Sequence, residues 1–176
     1  MSEDLIWRQL RVLANPLRIE MLTLLSTDSK LYVQRIGELL GCAEDIASKH
    51  LQRLGDGGFL RSWRRGRYLY YGINTEHPLV AALLEEIDRP EADIGTILKS
   101  LTAFTHERRI QIVRSLMTEP KSVDALRVET GISGDALLRH LRKLEAREMV
   151  FHREGCWSVA VPRNRLRQWL MEYVTG

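Results

Sequence analysis

Four arginines lie within seven residues of one another, in a short segment that is also rich in aromatic residues. Arg61, Arg64, Arg65 and Arg67 surround Gly66, and the segment continues as Tyr-Leu-Tyr-Tyr. Guanidinium groups bind phosphates through paired, charge-assisted hydrogen bonds. The cluster therefore predicts a phosphate-binding surface, with a solvated hairpin tip as the simpler alternative for charged residues on a turn.

The remaining patterns point away from catalysis and from metal binding. Cys42 and Cys156 lie far apart, which fits neither a disulfide framework nor metal-ligand spacing. The sequence has no phosphate-cradling glycine loop, no His-Glu-x-x-His and no Gly-x-Ser-x-Gly. We expect a protein that is not an enzyme and that uses no cofactor. Cys42 is interpreted as a small apolar turn residue, and Cys156 as an exposed hairpin residue.

The charge of the chain is mildly basic and unevenly distributed. The formal net charge is +3 and the isoelectric point is near 9.0. Residues 1–95 hold 12 Lys and Arg against 14 Asp and Glu, whereas residues 96–176 hold 14 against 9. No apolar run approaches the roughly 18 residues of a membrane helix, and the start, Met-Ser-Glu-Asp, has acids where a signal peptide carries basic residues. These features predict a cytoplasmic protein with no membrane partner.

An internal repeat with a spacing of about 90 residues organises the chain. Three pairs of segments match in the same order: Leu10–Leu25 with Leu101–Leu116, Val33–Gly41 with Val123–Gly131, and Asp45–Leu54 with Asp135–Leu144. The repeat predicts two domains, 1–90 and 94–176. The boundary falls at Arg89-Pro90-Glu91-Ala92-Asp93, where a proline and charged residues interrupt the helical pattern.

Each repeat combines helical periodicity with one hairpin pattern. The predicted helices are Leu5–Leu13, Pro16–Leu25, Ile36–Leu40, Glu44–Leu54, Leu79–Ile87, Ile94–Leu101 and Leu166–Tyr173, with counterparts of the central ones in the second repeat. The predicted strands are Phe59–Arg64, Arg67–Tyr71, Val150–His152 and Trp157–Val161. Gly41 is expected to end a helix. The helix from Glu44 is expected to bury Ile46, Ala47, His50 or Leu51, and Leu54.

Two short helices joined by a glycine turn and followed by a hairpin are typical of a winged helix-turn-helix. In such a unit the second helix enters a major groove about 12 Å wide, and the first crosses the phosphate backbone. A basic hairpin tip contacts the neighbouring backbone or minor groove and adds salt-dependent affinity. The predicted fold class is therefore mostly α with small β-hairpin wings, as two tandem winged helix-turn-helix domains.

Three motifs resemble those of ArsR-type winged-helix repressors. Leu-Ala-Asn-Pro-Leu-Arg-Ile at 13–19 resembles the family's opening motif, Ser-Lys-His-Leu at 48–51 its recognition-helix signature, and residues 64–71 its wing. The second repeat matches more loosely, at 109–110 and 139–141. The resemblance implies a DNA-binding transcription regulator, usually a homodimer joined through its first and last helices. Since each repeat carries both helices, we expect an intramolecular pseudo-dimer or a homodimer.

The sequence departs from this family where members sense metals. The stretch 31–35 lacks the family's cysteine pair, and residues 77–88 do not reproduce the spacing of its Asp and His site. Because a metal needs several convergent ligands, the resemblance implies a regulator without the usual metal site.

The base-contacting positions of the family include acidic residues in both repeats. They correspond to 44, 45, 48 and 49 in the first repeat and to 134, 135, 138 and 139 in the second. Acids there either complement the helix dipole or accept a hydrogen bond from cytosine, and they leave open whether the second repeat contacts DNA. His50 and His140 are expected either to reach phosphates or to pack beside the leucine stripe.

The expected function is a sequence-specific DNA-binding regulator, acting as a repressor. The main alternative is a tandem winged-helix scaffold that binds proteins, such as a subunit of a chromosome-segregation complex. The expected DNA-binding residues are Glu44, Asp45, Ser48, Lys49, His50, Arg53, Arg64, Arg65, Arg67, Arg139, His140, Arg142 and Arg153.

Overall fold

The computed structural model describes residues 3–28 and 31–176, so Met1 and Ser2 of the acidic start lie outside the described residues. The described chain is mostly helical with two small antiparallel hairpins, which confirms the predicted α-rich class. Its helices are α1 (Glu3–Leu13), α2 (Pro16–Thr27), α3 (Val33–Leu40), α4 (Glu44–Asp56), α5 (Pro78–Ile87), α6 (Ile94–Ala103), α7 (Glu107–Leu116), α8 (Val123–Thr130), α9 (Gly134–Glu145) and α10 (Arg165–Thr175). Its strands are β1 (Leu60–Arg65), β2 (Tyr68–Ile73), β3 (Val150–Arg153) and β4 (Cys156–Val159).

Seven of the eight predicted strand bounds were wrong, by one or two residues, and only the start of β3 at Val150 was confirmed. β1 continues through Arg65 because that residue still pairs with Tyr68 across the turn. β4 ends at Val159, two residues earlier than predicted, because its last register partner is Val150 at the start of β3. Residues 89–93 lie between α5 and α6, so the helices are interrupted where the proline and charged residues predict it, and the domain boundary placed there stays a prediction.

The chain divides into two compact units. The first unit is Val12–Leu98, and the second unit is Lys99–Gly176 together with the segment Met1–Arg11. The second unit thus contains α1 as far as Arg11. Gln9 on this helix accepts a hydrogen bond of 3.3 Å from the hydroxyl of Tyr173 on α10. The predicted boundaries of 1–90 and 94–176 follow the sequence repeat, whereas the compact units follow packing, which assigns α1 to the second unit.

In the first unit, local signals fix where α2, α3 and α4 begin and end. Asn15 caps α2, because its side chain accepts a hydrogen bond of 3.2 Å from the backbone N–H of Arg18, and Pro16 follows at the first helical position. Gly41 ends α3 with φ of 64°, a left-handed conformation that favours glycine. At Gly37 an added Cβ would lie 2.9 Å from the backbone oxygen of Cys42. The turn between α3 and α4 is therefore close-packed.

The β1–β2 hairpin has one face toward the core of the first unit and one face outward. Opposite residues of an antiparallel pair point to the same side, and alternate residues point to opposite sides. Leu60 and Tyr71 are buried on the core-facing side. The same core contains Leu13, Ile19, Leu22, Ile36, Leu51, Leu54, Phe59, Leu79 and Leu83.

The second unit repeats the order of helices and hairpin found in the first. Ser122 caps α8 through its hydroxyl, and Gly131 ends that helix with φ of 67°. The β3–β4 hairpin is shorter, with four residues in each strand. The core of the second unit contains Ile6, Leu10, Leu101, Phe104, Ile112, Leu126, Leu137, Leu141, Leu144, Leu166 and Leu170.

Within the second unit, an ion-pair network joins α6 and α10 to Glu148, which lies in the segment between α9 and β3. Glu148 has a positive φ of 58°, and its carboxylate accepts hydrogen bonds from Lys99 (2.5 Å) and from Arg167 (2.7 Å). Arg167 is buried and also donates to the hydroxyl of Ser100 at 3.3 Å. These contacts lower the pKa of Glu148 to about 2, first through the hydrogen bond from Arg167 and then through that from Lys99.

No helix in the described ranges is both long and apolar enough to cross a membrane.

Candidate nucleic-acid interface

The outward side of α4 presents charges of both signs. Glu44, Asp45, Lys49 and Arg53 are exposed, while Ala47, Leu51 and Leu54 are buried, as predicted. The ammonium of Lys49 lies 3.2 Å from the carboxylate of Asp45, and both side chains are about 70% exposed. An ion pair this exposed contributes little to stability. Ser48 is half-buried.

The acids at the start of α4 occupy its first turn. Ala43 precedes the helix and makes no side-chain capping bond. Negative charge in the first turn of a helix is stabilised by the helix dipole. Glu44 and Asp45 therefore have a structural role beside the base contact that the family resemblance implies.

The prediction that Ile46 is buried was wrong. Its side chain is 42% exposed, and Leu39 on α3 is 46% exposed. In a helix, successive residues are about 100° apart around the axis, and the buried stripe of α4 runs through Ala47. Ile46 lies beside that stripe and faces solvent.

His50 is half-buried on α4 next to a buried arginine. Its Nδ1 atom is buried and has no hydrogen-bond partner. Burial lowers the pKa of His50, and the positive charges of Arg18 and Arg53 lower it further. A neutral, half-buried imidazole favours the packed interpretation of this residue over a phosphate contact.

The β1–β2 hairpin carries arginines that differ in the contacts of their side chains. Arg61 forms an ion pair of 2.5 Å with Glu76. Arg67 donates to the Tyr68 hydroxyl at 2.7 Å, and its guanidinium lies 5.0 Å from the centre of that ring. Arg64 and Arg65 are exposed and make no ion pair or hydrogen bond with the described residues through their side chains. These two are free to bind an anion.

In the second unit the exposed side of α9 is more basic than that of α4. Arg139 and Arg142 are exposed, and neither forms an ion pair within residues 3–28 and 31–176. Lys143 is also exposed and was missed by the sequence analysis. Its spacing of four residues from Arg139 places the two on the same side of the helix, which is the signal that identifies it. Asp135 is exposed in the first turn.

His140 occupies in α9 the position that His50 occupies in α4. Its ring centre lies 4.6 Å from that of His106, and its Nδ1 atom is buried with no hydrogen-bond partner. Burial lowers the pKa of His140 to about 4, with further contributions from His106 and Arg109. Arg109 is itself buried, and burial lowers its pKa to about 10. As with His50, these surroundings favour the packed interpretation.

The second hairpin offers no comparable cationic tip. Its arginine, Arg153, lies 3.0 Å from the carboxylate of its neighbour Glu154, and both are exposed. Cys156 is half-buried on this hairpin, and Cys42 is half-buried in the turn before α4; both are free thiols. No group of three or more His, Cys, Asp or Glu side chains in the described part of the chain is placed to hold a metal ion.

A scan of protein-family models finds no match to this chain, and a search of curated proteins finds no significant relative. The family membership implied by the motifs at 13–19, 48–51 and 64–71 therefore stays a prediction.

Proposed function

We propose that this protein is a sequence-specific DNA-binding transcription regulator of ArsR-like type. It is built from two winged helix-turn-helix units and represses transcription by occupying a promoter. In this proposal α4 and α9 are the recognition helices, and the two hairpins are the wings. The protein acts by binding alone, with no enzymatic step, no cofactor and no metal.

One observation carries the proposal: Arg64 and Arg65 project from the hairpin that follows a two-helix turn, and no described side chain neutralises them. Phosphate contacts of this kind position a protein on duplex DNA and supply most of the salt-dependent affinity. A structural role would leave such arginines paired with nearby acids, as Arg61 is with Glu76.

The exposed side of α9 supports a role for the second unit in reading bases. Arg139, Arg142 and Lys143 lie on a helix that follows a glycine turn, in the position of a recognition helix. Arginine and lysine at such positions contact guanine in the major groove. The second unit therefore contacts DNA in this proposal and is more than a dimerisation partner.

The proposed assembly is an intramolecular pseudo-dimer of the two units or a homodimer of the chain. The first and last helices of each sequence repeat form these contacts in the proposal. Size-exclusion chromatography with light scattering distinguishes the two, because the pseudo-dimer elutes with the mass of one chain.

A mobility-shift assay with mixed genomic duplex fragments at low salt tests the proposal. We expect retarded fragments, and footprinting of the enriched ones reports how many units bind. Two units that read adjacent major grooves protect half-sites separated by about 10 base pairs, or one helical turn. Absence of any retardation at about 50 mM salt, where phosphate contacts are strong, would refute the regulator assignment.

A second function is favoured by a different observation on α3 and α4. Leu39 and Ile46 are exposed apolar residues close to the acidic start of α4, a composition suited to a protein partner. This arrangement supports the alternative of a tandem winged-helix scaffold. The same mobility-shift assay separates the two functions, and replacing Ile46 with Lys weakens partner binding only in the second case.

A further inference from the structure

The outward face of the first hairpin carries a row of aromatic rings that the proposed duplex contacts do not use. By strand register, Trp63 pairs with Tyr70 and Arg65 pairs with Tyr68, so these four side chains share one face. Tyr71, which points the other way, supplies the buried aromatic residue of this strand. The outward rings are therefore not needed to fill the core.

The rings form a continuous series, which we call the aromatic row: Trp63, Tyr70, Tyr32 and Tyr68. Trp63 and Tyr70 are nearly parallel, with 13° between their planes and 6.1 Å between their centres. Tyr32, joined to β2 by an isolated bridge at Tyr70, has its ring 5.9 Å from Tyr70 and 4.6 Å from Tyr68. The row ends at Arg67, which lies over the ring of Tyr68.

The indole of Trp63 packs against the backbone of β2 on one side and is exposed to solvent on the other. An added Cβ at Gly72 would lie 3.0 Å from Cζ3 of Trp63, so the ring rests against the backbone of β2. The residue nevertheless keeps 44% of its surface exposed. A rigidly backed, solvent-facing aromatic ring is a surface on which a flat partner can stack.

The charge around the aromatic row selects an anionic partner with flat groups. Of the four arginines in residues 60–73, Arg65 and Arg67 lie beside the row without an acidic partner among the described residues, whereas Arg61 is paired with Glu76 and Arg64 points to the other face. Aromatic side chains within a cationic surface are the combination by which proteins hold single-stranded nucleic acid, since bases stack on the rings and phosphates meet the cations. A proline-rich peptide also packs on aromatic rows, but it gives the arginines nothing to bind.

We propose that the aromatic row binds single-stranded DNA, with unpaired bases stacked on Trp63 and the backbone phosphates beside Arg65 and Arg67. The choice of DNA over RNA rests on the proposed function. Bases inside a duplex are already stacked on one another, so this surface recognises melted, frayed or single-stranded segments. The aromatic row lies on the outward face of the hairpin, whereas Arg64 lies on the core-facing side.

Fluorescence anisotropy with labelled oligo(dT) of about 15 nucleotides, and with a fully paired duplex, tests the inference on the whole chain. We expect Trp63→Leu to weaken oligo(dT) binding by about 5- to 150-fold, the range for loss of one base-aromatic stack. Trp63→Phe should retain most of the affinity, because it keeps a ring. Duplex binding should be unchanged by Trp63→Leu. Phe151→Leu is the matched control, since Phe151 is 43% exposed on the outward face of the other hairpin.

The outcomes separate this inference from the proposed function. Oligo(dT) binding that is insensitive to Trp63→Leu overturns the inference, and so does equal weakening by Phe151→Leu. Tighter binding of oligo(U) than of oligo(dT), or of a proline-rich peptide in place of either, overturns the assignment to single-stranded DNA. If oligo(dT) binds through Trp63 while duplex DNA does not bind at all, the inference holds and the regulator assignment fails. Circular dichroism and thermal unfolding establish that Trp63→Leu keeps its fold.

Discussion

Replacing both Arg64 and Arg65 with alanine should weaken duplex binding and make its salt dependence less steep. Both guanidinium groups are exposed and unpaired with described residues, so each is free to neutralise one phosphate. Each neutralised phosphate contributes about 0.9 to the slope of log K against log salt concentration on duplex DNA, so two contribute about 1.8. Between 50 and 200 mM salt, wild-type affinity should therefore fall by about twelvefold more than that of the double variant.

The assay is fluorescence anisotropy with a labelled duplex at four salt concentrations, and Arg153→Ala is the matched control. Arg153 also lies on a hairpin, but its guanidinium is 3.0 Å from the carboxylate of Glu154, so its loss should leave the slope unchanged. Arg67→Ala should have an intermediate effect, because Arg67 is already held by Tyr68. Parallel salt plots for the wild type and the Arg64 and Arg65 double variant would refute the reasoning, as would an equal change from Arg153→Ala.

Three further predictions concern stability, each read from urea or thermal unfolding. Glu148→Gln should lower the free energy of unfolding at pH 7 by about 1–2 kcal/mol, discounted for the exposure of Glu148, because buried Arg167 loses its carboxylate partner. The pKa of Glu148 is about 2 in the folded chain and about 4.3 in the unfolded chain. The difference in free energy of unfolding between wild type and Glu148→Gln should therefore shrink as the pH falls from about 5 toward 2. A difference that stays constant from pH 7 to 3 would contradict this prediction. Burial lowers the pKa of His140 to about 4, so between about pH 4 and 6.5 the unfolded chain binds more protons than the folded chain. The free energy of unfolding should therefore decrease as the pH is lowered through that window. His140→Gln should remove at most about 3 kcal/mol of that loss, and an unaltered pH profile would mean that the imidazole is accessible. Gly41→Ala should lower the free energy of unfolding by about 1 kcal/mol, because φ is positive there and the added Cβ contacts nothing. Gly37→Ala should lower it more, because its Cβ would lie 2.9 Å from a backbone oxygen. A smaller loss of melting temperature for Gly37→Ala than for Gly41→Ala would count against the close-packed turn.

The sequence was sufficient to locate the elements because their ends depend on local chemistry. Asn15 with Pro16, and the left-handed Gly41, determine helix ends through the adjacent backbone alone. The repeat then predicted the same order of elements in the second half. Compact units were harder to predict, because the packing of α1 depends on residues more than 100 positions away, as the bond between Gln9 and Tyr173 shows.

Burial within α4 could not be read from its composition. Ala47, Leu51 and Leu54 define the buried stripe, and both Ile46 and His50 are immediate neighbours of stripe residues in sequence. An apolar residue at the margin of a stripe is compatible with either environment, since helical periodicity locates a face only to within about one residue. Only the packing of α4 against the core resolves Ile46 as exposed and His50 as half-buried.

The sequence was sufficient to predict which cationic side chains form the candidate site. It was not sufficient to predict which of them lack an acidic partner. Arg61 and Arg64 are equivalent by sequence, yet Arg61 is held by Glu76, fifteen residues along the chain. Partners at that separation depend on how the hairpin returns to α5. A tryptophan in a strand is most simply a core or interface residue. The exposed position of Trp63 follows from strand register, which places Tyr71 on the core side instead.

The two units differ in where their positive charge lies, and this difference has a consequence for recognition. The first recognition helix in the proposal, α4, has three acidic and two basic residues, and its hairpin carries four arginines. In α9 the balance is two acidic and three basic residues, and its hairpin has Arg153 paired with Glu154. Hairpin contacts to phosphates add affinity for any sequence, whereas a helix arginine that binds guanine discriminates by about 1–3 kcal/mol per base pair. Under the proposed function, the first unit therefore supplies salt-dependent affinity through its hairpin, and the second unit supplies base discrimination through Arg139 and Arg142.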